Sequence, residues 1–169
     1  MTAEKSKKRG AELTHLDEKG RARTVDISSK RVTARAATAR ASVMMQEATL
    51  DLVLGAGIEK GDVLGTARIA GIMAAKKTSE LIPMCHPIAI TSVEMEFEVD
   101  RKASTITAVA TARTRDRTGI EMEALTAAAV AALTIYDMCK AVDRAMTISS
   151  VQLLKQSGGR SGTFARDKE

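Results

Sequence analysis

Between Val93 and Val99 every second residue is apolar and every residue between them is glutamate, in the order Val93, Glu94, Met95, Glu96, Phe97, Glu98, Val99. Side chains alternate across a strand, so this run can only be a half-buried β-strand with one acidic, solvated face. "DRKAS" (100–104) then supplies a turn, and "TITAVATAR" is rich in β-branched residues, so a second strand pairs with the first as a hairpin. Whatever else the chain forms must cover the apolar face of that hairpin.

The flanking segments read as helices. From Val32 to about Leu54 the composition turns to Ala, Met and Leu, and Met44, Ala48 and Leu52 are spaced four apart, which predicts a first helix. "GAGIEKGD" (55–62) breaks it, and Asp62 is placed to cap a second helix in which Ile69, Ile72 and Met73 share a face, ending near Lys76 and Lys77. Thr118 and Glu121 have capping-box spacing, and the Ala-rich run from Gly119 to Met146 contains no Gly or Pro beyond its first residue, which predicts one long helix. "TISSVQLL" (147–154) reads as a closing strand and "TVDI" (24–27) as a short leading one. The order predicts an α+β fold, a ferredoxin-like antiparallel sheet packed against helices. Because "LTAAAVAALTIYDMC" is apolar on nearly every side, burial on both faces predicts a homo-oligomer.

Three regions follow: a flexible, charged N-terminal arm over 1–22, a single domain over 23–156, and a Gly-rich flexible tail over 157–169. The 169 residues suit one core. That core must be built from small aliphatic residues, since aromatics are 2% of the chain and Trp is absent. A net charge of +5 favours anionic partners. With one Tyr and two Phe there is almost no platform for stacking bases, so a small phosphorylated ligand fits better than single-stranded nucleic acid. The two cysteines, Cys85 and Cys139, read as free thiols, and no signal-peptide core or apolar run long enough to cross a bilayer is evident, which predicts a cytoplasmic protein with no membrane partner.

Chemistry concentrates in few places. "IPMCHPI" (82–88) holds both prolines, and these bias Met84, Cys85 and His86 towards a rigid, extended loop. Such a loop either presents backbone amides and an imidazole to a ligand or is an ordinary turn with a satisfied histidine, and spacing alone leaves both open. Cys85 and His86 are adjacent, but without CxxC or HxxxH, and with Cys139 and His15 remote, no metal site is expected. In "YDMCKAVDR", Asp137 and Lys140 stand side by side on a helix, as an acid/base pair beside an anion or as a surface ion pair. "TGIEMEAL" offers free helix N-terminal N–H groups with Glu121, Met122 and Glu123. Lys60 either reaches into a site from its loop or is solvated. Glu123 and Asp137 are fourteen residues apart, hence about 21 Å along a helix, so one site can use both only through a long ligand or across a subunit interface.

"KGDVLGTARIAGIMAAKKTSELIPMCHPI", "TGIEMEALTAAAVAALTIYDMCKAV" and "LLKQSGGRSG" together closely resemble the family of molybdenum cofactor biosynthesis protein C, the cyclic pyranopterin monophosphate synthases. The resemblance runs from about "LTHLDEKG" to "SGGRSG", nearly the whole chain. It implies a ferredoxin-like subunit in a hexamer, a trimer of dimers, with sites at subunit interfaces. It implies conversion of 3′,8-cyclo-7,8-dihydro-GTP to cyclic pyranopterin monophosphate and pyrophosphate, with no redox cofactor. Mg²⁺ would come only with the triphosphate, and the partner would be the upstream radical enzyme, in transient contact. Carried over by motif, Asp137 matches the active-site aspartate and Lys140 and Lys60 the proton-passing lysines. Met84, Cys85 and His86, with Met122 and Glu123 and their neighbour Glu121, match the substrate-binding segments. Met84 stands where Leu is usual, and Arg117 and Arg160 where Lys is usual. Arginine can still bind phosphate there but does not readily exchange a proton. The reading from another class is a basic nucleotide- or nucleic-acid-binding module without catalysis; a third is an inactive scaffold, against which intact Lys60, His86, Asp137 and Lys140 weigh.

Overall fold

The computed structural model of the protein describes residues 19–55, 57–159 and 162–167. His15, Arg160 and the N-terminal arm apart from residues 19–22 lie outside them.

Among the described residues, five strands and four helices run in the order β1 (Thr33–Met44), α1 (Glu47–Leu54), α2 (Val63–Lys76), α3 (Thr78–Leu81), β2 (Ile90–Asp100), β3 (Thr105–Asp116), α4 (Glu121–Cys139), β4 (Thr147–Ser157) and β5 (Phe164–Ala165). They form one sheet in the order β2-β3-β1-β4-β5, with every neighbouring pair antiparallel. Leaving aside the two-residue β5, this is the βαββαβ, ferredoxin-like arrangement expected of the sequence. The β2–β3 hairpin forms as read, with Val93, Met95 and Phe97 inward and the three glutamates exposed. Its turn is closed by Asp100, whose Oδ1 accepts from the N–H groups of Lys102 and Ala103.

The helix expected from Val32 to Leu54 is instead a twelve-residue strand followed by an eight-residue helix. Alanine content pointed to helix, but the decisive period is two: Ala37, Ala39, Ala41 and Val43 are buried, while Thr38, Arg40 and Ser42 turn to the other face. Flanked by β3 and β4, this segment has ladder partners on both sides, and such context overrides propensity. The register sets Ala37 opposite Ala112, Ala39 opposite Ala110, Ala41 opposite Ala108 and Val43 opposite Ile106. All eight are essentially inaccessible, and so are Ala124, Ala127, Ala128, Ala131 and Ala132 of α4, which lies on them. A floor of alanines lets the helix approach closely, and that is how a core with almost no aromatics is filled. On the far face of the sheet Thr38 pairs with Thr111 at 2.9 Å, Ser42 with Thr107 at 2.8 Å, and Arg40 donates to Gln152 at 2.8 Å.

Asp62 caps α2 as expected, its carboxylate accepting from the Gly65 N–H at 2.8 Å. The capping box at Thr118 does not form. The N-cap of α4 is Ile120, with no side-chain cap, and Glu121 is drawn aside by Gln156 of β4, whose Nε2 donates to its Oε2 at 2.9 Å. The helix also ends earlier than Met146, at Cys139, where Val142 and Asp143 both donate back to the Cys139 carbonyl. "TVDI" has no strand partner; Lys30 N–H closes a turn onto Ile27, and Val25 and Ile27 lie along a cleft described below. Contrary to the reading that no segment could span a bilayer, α4 is long and apolar enough to do so. It packs instead against the sheet and α2, with nine of its residues buried. Part of the segment read as a tail returns along β4, where Phe164 pairs with Gln156 and Ala165 with Lys155.

Candidate active site

α4 carries a group of charges at each end. At its C-terminal end the Lys140 Nζ lies 2.6 Å from Asp137 Oδ1, the i,i+3 pairing expected of the sequence. Lys60 comes from the loop between α1 and α2 and donates both to Asp137 Oδ2, at 3.1 Å, and to the Asp137 carbonyl, at 2.8 Å. That carbonyl belongs to the last turn of the helix, whose acceptors have no intrahelical partner, so a cation is doubly favoured there. The loop is held tightly enough to place the lysine: Ile58 is buried, Gly61 N–H bonds the Ile58 carbonyl, and Gly61 takes φ 90 before Asp62 caps α2.

All three side chains are about half exposed. The electrostatics are therefore those of a solvent-facing group drawn together by mutual charge. The hydrogen bond from Lys140, followed by that from Lys60, holds the Asp137 carboxyl below its usual range. Asp137 in turn holds the Lys140 ammonium above its usual range. A carboxylate between two ammonium groups, open to a ligand, can accept and return protons while keeping positive charge for a leaving phosphate.

At the N-terminal end of α4 lies a cleft of about 400 Å³. Met84, Cys85 and His86 form one side of it and Glu121, Met122 and Glu123 the other, so all six binding residues read from the sequence are brought together. The proline segment is not extended throughout, as expected, but begins with a turn: Cys85 N–H bonds the Ile82 carbonyl at 3.0 Å, with Pro83 and Met84 at the corner. Glu123 is only 4% exposed. Burial, reinforced by the charge of Glu121, pushes its carboxyl up to about 7, against a hydrogen bond from its own backbone N–H. Burial and the two glutamates also raise the Cys85 thiol, which makes it a poor nucleophile and leaves it a packing and backbone-presenting role.

Lys30 of the lining, and several residues that support the segments around the cleft, take part through contacts that no spacing in the sequence shows. Lys30 faces the cleft from the segment before β1 and adds a cation to it. Gln156 reaches Glu121 from β4. Arg35 donates through Nε to the Asp116 carbonyl at 2.9 Å and through Nη2 to that of Arg117 at 3.1 Å, fixing the link that leads into α4. Gly158 and Gly159 pass so close to Ala34 and Arg35 that a Cβ at either would collide with them. Each contact joins residues far apart in sequence, so only the strand order reveals it.

Among the described residues no three His, Cys, Asp or Glu side chains gather as metal ligands would. The two groups of residues stay apart within one chain, since the nineteen-residue α4 separates them. Residues 24–159 match the model of the MoaC family. The chain belongs to that family.

The match covers both ends of α4 and every residue named above as lining the cleft. Among MoaC-family relatives, the chain is 57% identical over 152 residues to the cyclic pyranopterin monophosphate synthase of Parvibaculum lavamentivorans, covering 90% of this chain and 95% of that one. It is 55% identical over 157 residues to the protein of that name from Pelotomaculum thermopropionicum, covering 93% and 92%. To cyclic pyranopterin monophosphate synthase 3 of Mycobacterium tuberculosis it is 57% identical over 154 residues, covering 91% and 86%.

Proposed function

We propose that the protein is a lyase of molybdenum cofactor biosynthesis, converting 3′,8-cyclo-7,8-dihydro-GTP to cyclic pyranopterin monophosphate with release of pyrophosphate. The observation that carries this reading is Asp137 held between Lys60 and Lys140 at an open helix end. Ring bonds that break and re-form need proton donors and acceptors, and a pyrophosphate leaving as a cyclic phosphate closes needs positive charge beside it. The cleft of Met84, Cys85, His86, Glu121, Met122 and Glu123 would take the base-derived rings, with Lys30 beside it for phosphate. The chemistry as proposed needs no redox cofactor, and Mg²⁺ would travel with the triphosphate as part of the substrate.

Such a reaction needs both groups of residues at one substrate, and the length of α4 keeps them well apart within one chain. The site is therefore proposed to form between copies, in a homohexamer built as a trimer of dimers. Support comes from Ile69 and Met73 of α2 and Leu133 of α4, which are all more than half exposed on helices otherwise committed to the core. We place the enzyme in the cytoplasm, meeting the upstream radical enzyme only transiently. The test supplies the cyclised GTP derivative and measures pyrophosphate and pterin product for wild type, Asp137→Asn and Lys140→Ala. Normal turnover by both variants, folded and assembled, would overturn the assignment of these residues.

A further inference from the structure

The proton-handling group is not the end of the charged chemistry at this corner of the molecule. Asp143, in the turn after α4, is 2% exposed and both its oxygens are occupied. Oδ2 accepts from the Gln46 N–H at 2.9 Å and from Thr49 Oγ1 at 3.3 Å, and Oδ1 accepts from the Ala145 N–H at 3.0 Å. Gln46 is the N-cap of α1 and has no side-chain cap of its own. A carboxylate from elsewhere in the chain thus satisfies the start of that helix, where backbone N–H groups lack partners and negative charge is favoured.

The two elements joined by Asp143 are the two that carry the charges meeting at Asp137. α4 bears Asp137 in its last turn, with Lys140 as its C-cap. α1 leads directly into the loop bearing Lys60. The turn between is wound tightly, since the N–H groups of Val142 and Asp143 bond the Cys139 carbonyl at 3.0 Å and 3.1 Å. Cys139 is fully buried beneath it, its thiol raised by burial and by the charge of Asp143 and lowered by that of Lys60, so all of these groups share one small region. A buried carboxylate with three donors, two at the start of α1 and one in its own turn, has little freedom to shift without leaving a buried group unpaired.

We propose that Asp143 is a positioning residue, locking the last turn of α4 to the first of α1 so that Lys60 and Lys140 are both held on the Asp137 carboxylate. This rests on the reading of those three residues as the proton-transferring group. A merely structural role would lower the folded fraction and leave the properties of the folded enzyme alone.

Two variants separate these possibilities. Asp143→Asn keeps the size but turns an amide N–H towards donors, while Gln46→Pro removes the N–H donor together with an exposed side chain, at a residue whose φ of -69 already suits proline. With the assembled enzyme and the cyclised GTP derivative, Asp143→Asn should lower kcat by about tenfold to a hundredfold with KM within about twofold of wild type, because the cleft lies at the other end of α4. In ¹³C-lysine NMR titrations the Lys140 ammonium should lose part of its upward shift. Gln46→Pro should give the same pattern, smaller, and it decides alone should Asp143→Asn not fold. An unchanged kcat per folded enzyme, or an unchanged Lys140 titration, overturns the proposal. If wild type itself does not turn the substrate over, it is the functional reading that fails, and the lysine titration still tests the positioning role.

Discussion

Lys60 donates two hydrogen bonds to one residue, at 2.8 Å to the Asp137 carbonyl and at 3.1 Å to its carboxylate. It is therefore both a helix-end cation and a partner of the carboxylate, and its position is fixed by the helix as well as by charge. We expect Lys60→Ala to lower kcat by about a hundredfold or more, the usual worth of a placed proton donor or acceptor. Its thermal midpoint should match wild type, because an exposed ion pair contributes little to stability. A steady-state assay paired with calorimetry checks both halves.

The pH dependence should come from the cleft and not from the charged group. Asp137 is shifted down, so what it adds to stability is present above its unfolded value and is lost only as pH falls through the lower folded one. Lys140 is shifted up, so its contribution holds below its unfolded value and is lost only as pH rises through the higher folded one. Neither change falls between about pH 5 and 9. Glu123, at about 7, does change there. Its folded value is raised, so stability is fully present below the ordinary carboxyl range and declines as pH rises through about 7. The decline should be at most about 3 kcal/mol, and Glu123→Gln should abolish it. Affinity for the anionic substrate should weaken over the same range in wild type and stay level in Glu123→Gln, as measured by calorimetric titration.

With the two ends of α4 proposed to meet at a site shared between copies, inactive variants should rescue one another. Lys60→Ala lacks one half of the proposed site and His86→Ala the other. Mixed, unfolded together and reassembled, they should recover a substantial fraction of wild-type turnover, since some interfaces then combine two intact halves. Activity no greater than that of either variant alone would place both halves on one chain.

How legible this was in the sequence depended on where each partner lay. The β2–β3 hairpin, the Asp62 cap and the Asp137–Lys140 pair are local, and periodicity or spacing alone identifies them. The alanines of β1 favour helix in isolation, whereas the ladders from β3 and β4 that make it a strand come from later in the chain. The same holds for the site: the capping box at Thr118 fails because α4 starts only at Glu121, whose carboxylate bonds Gln156 of β4, and Asp143 matters because Gln46 lies against it. Pairings across about a hundred residues leave no spacing to read.

Two glycines should separate packing from placement. Gly71 of α2 faces α4 where a Cβ would lie 3.0 Å from the Ala127 carbonyl oxygen and from Met95 Cε. Gly71→Val should cost about 1–3 kcal/mol in urea unfolding through overpacking, with kcat per folded enzyme retained. Gly61 has open space around it, but its φ of 90 is one that other residues adopt only under strain. Gly61→Ala should cost about 1–3 kcal/mol if the backbone is kept, and less if the turn relaxes. Relaxation moves Lys60, the preceding residue, off Asp137. Stability and kcat should therefore trade against each other in Gly61→Ala, a mild loss of one accompanying a severe loss of the other, whereas in Gly71→Val only stability should fall.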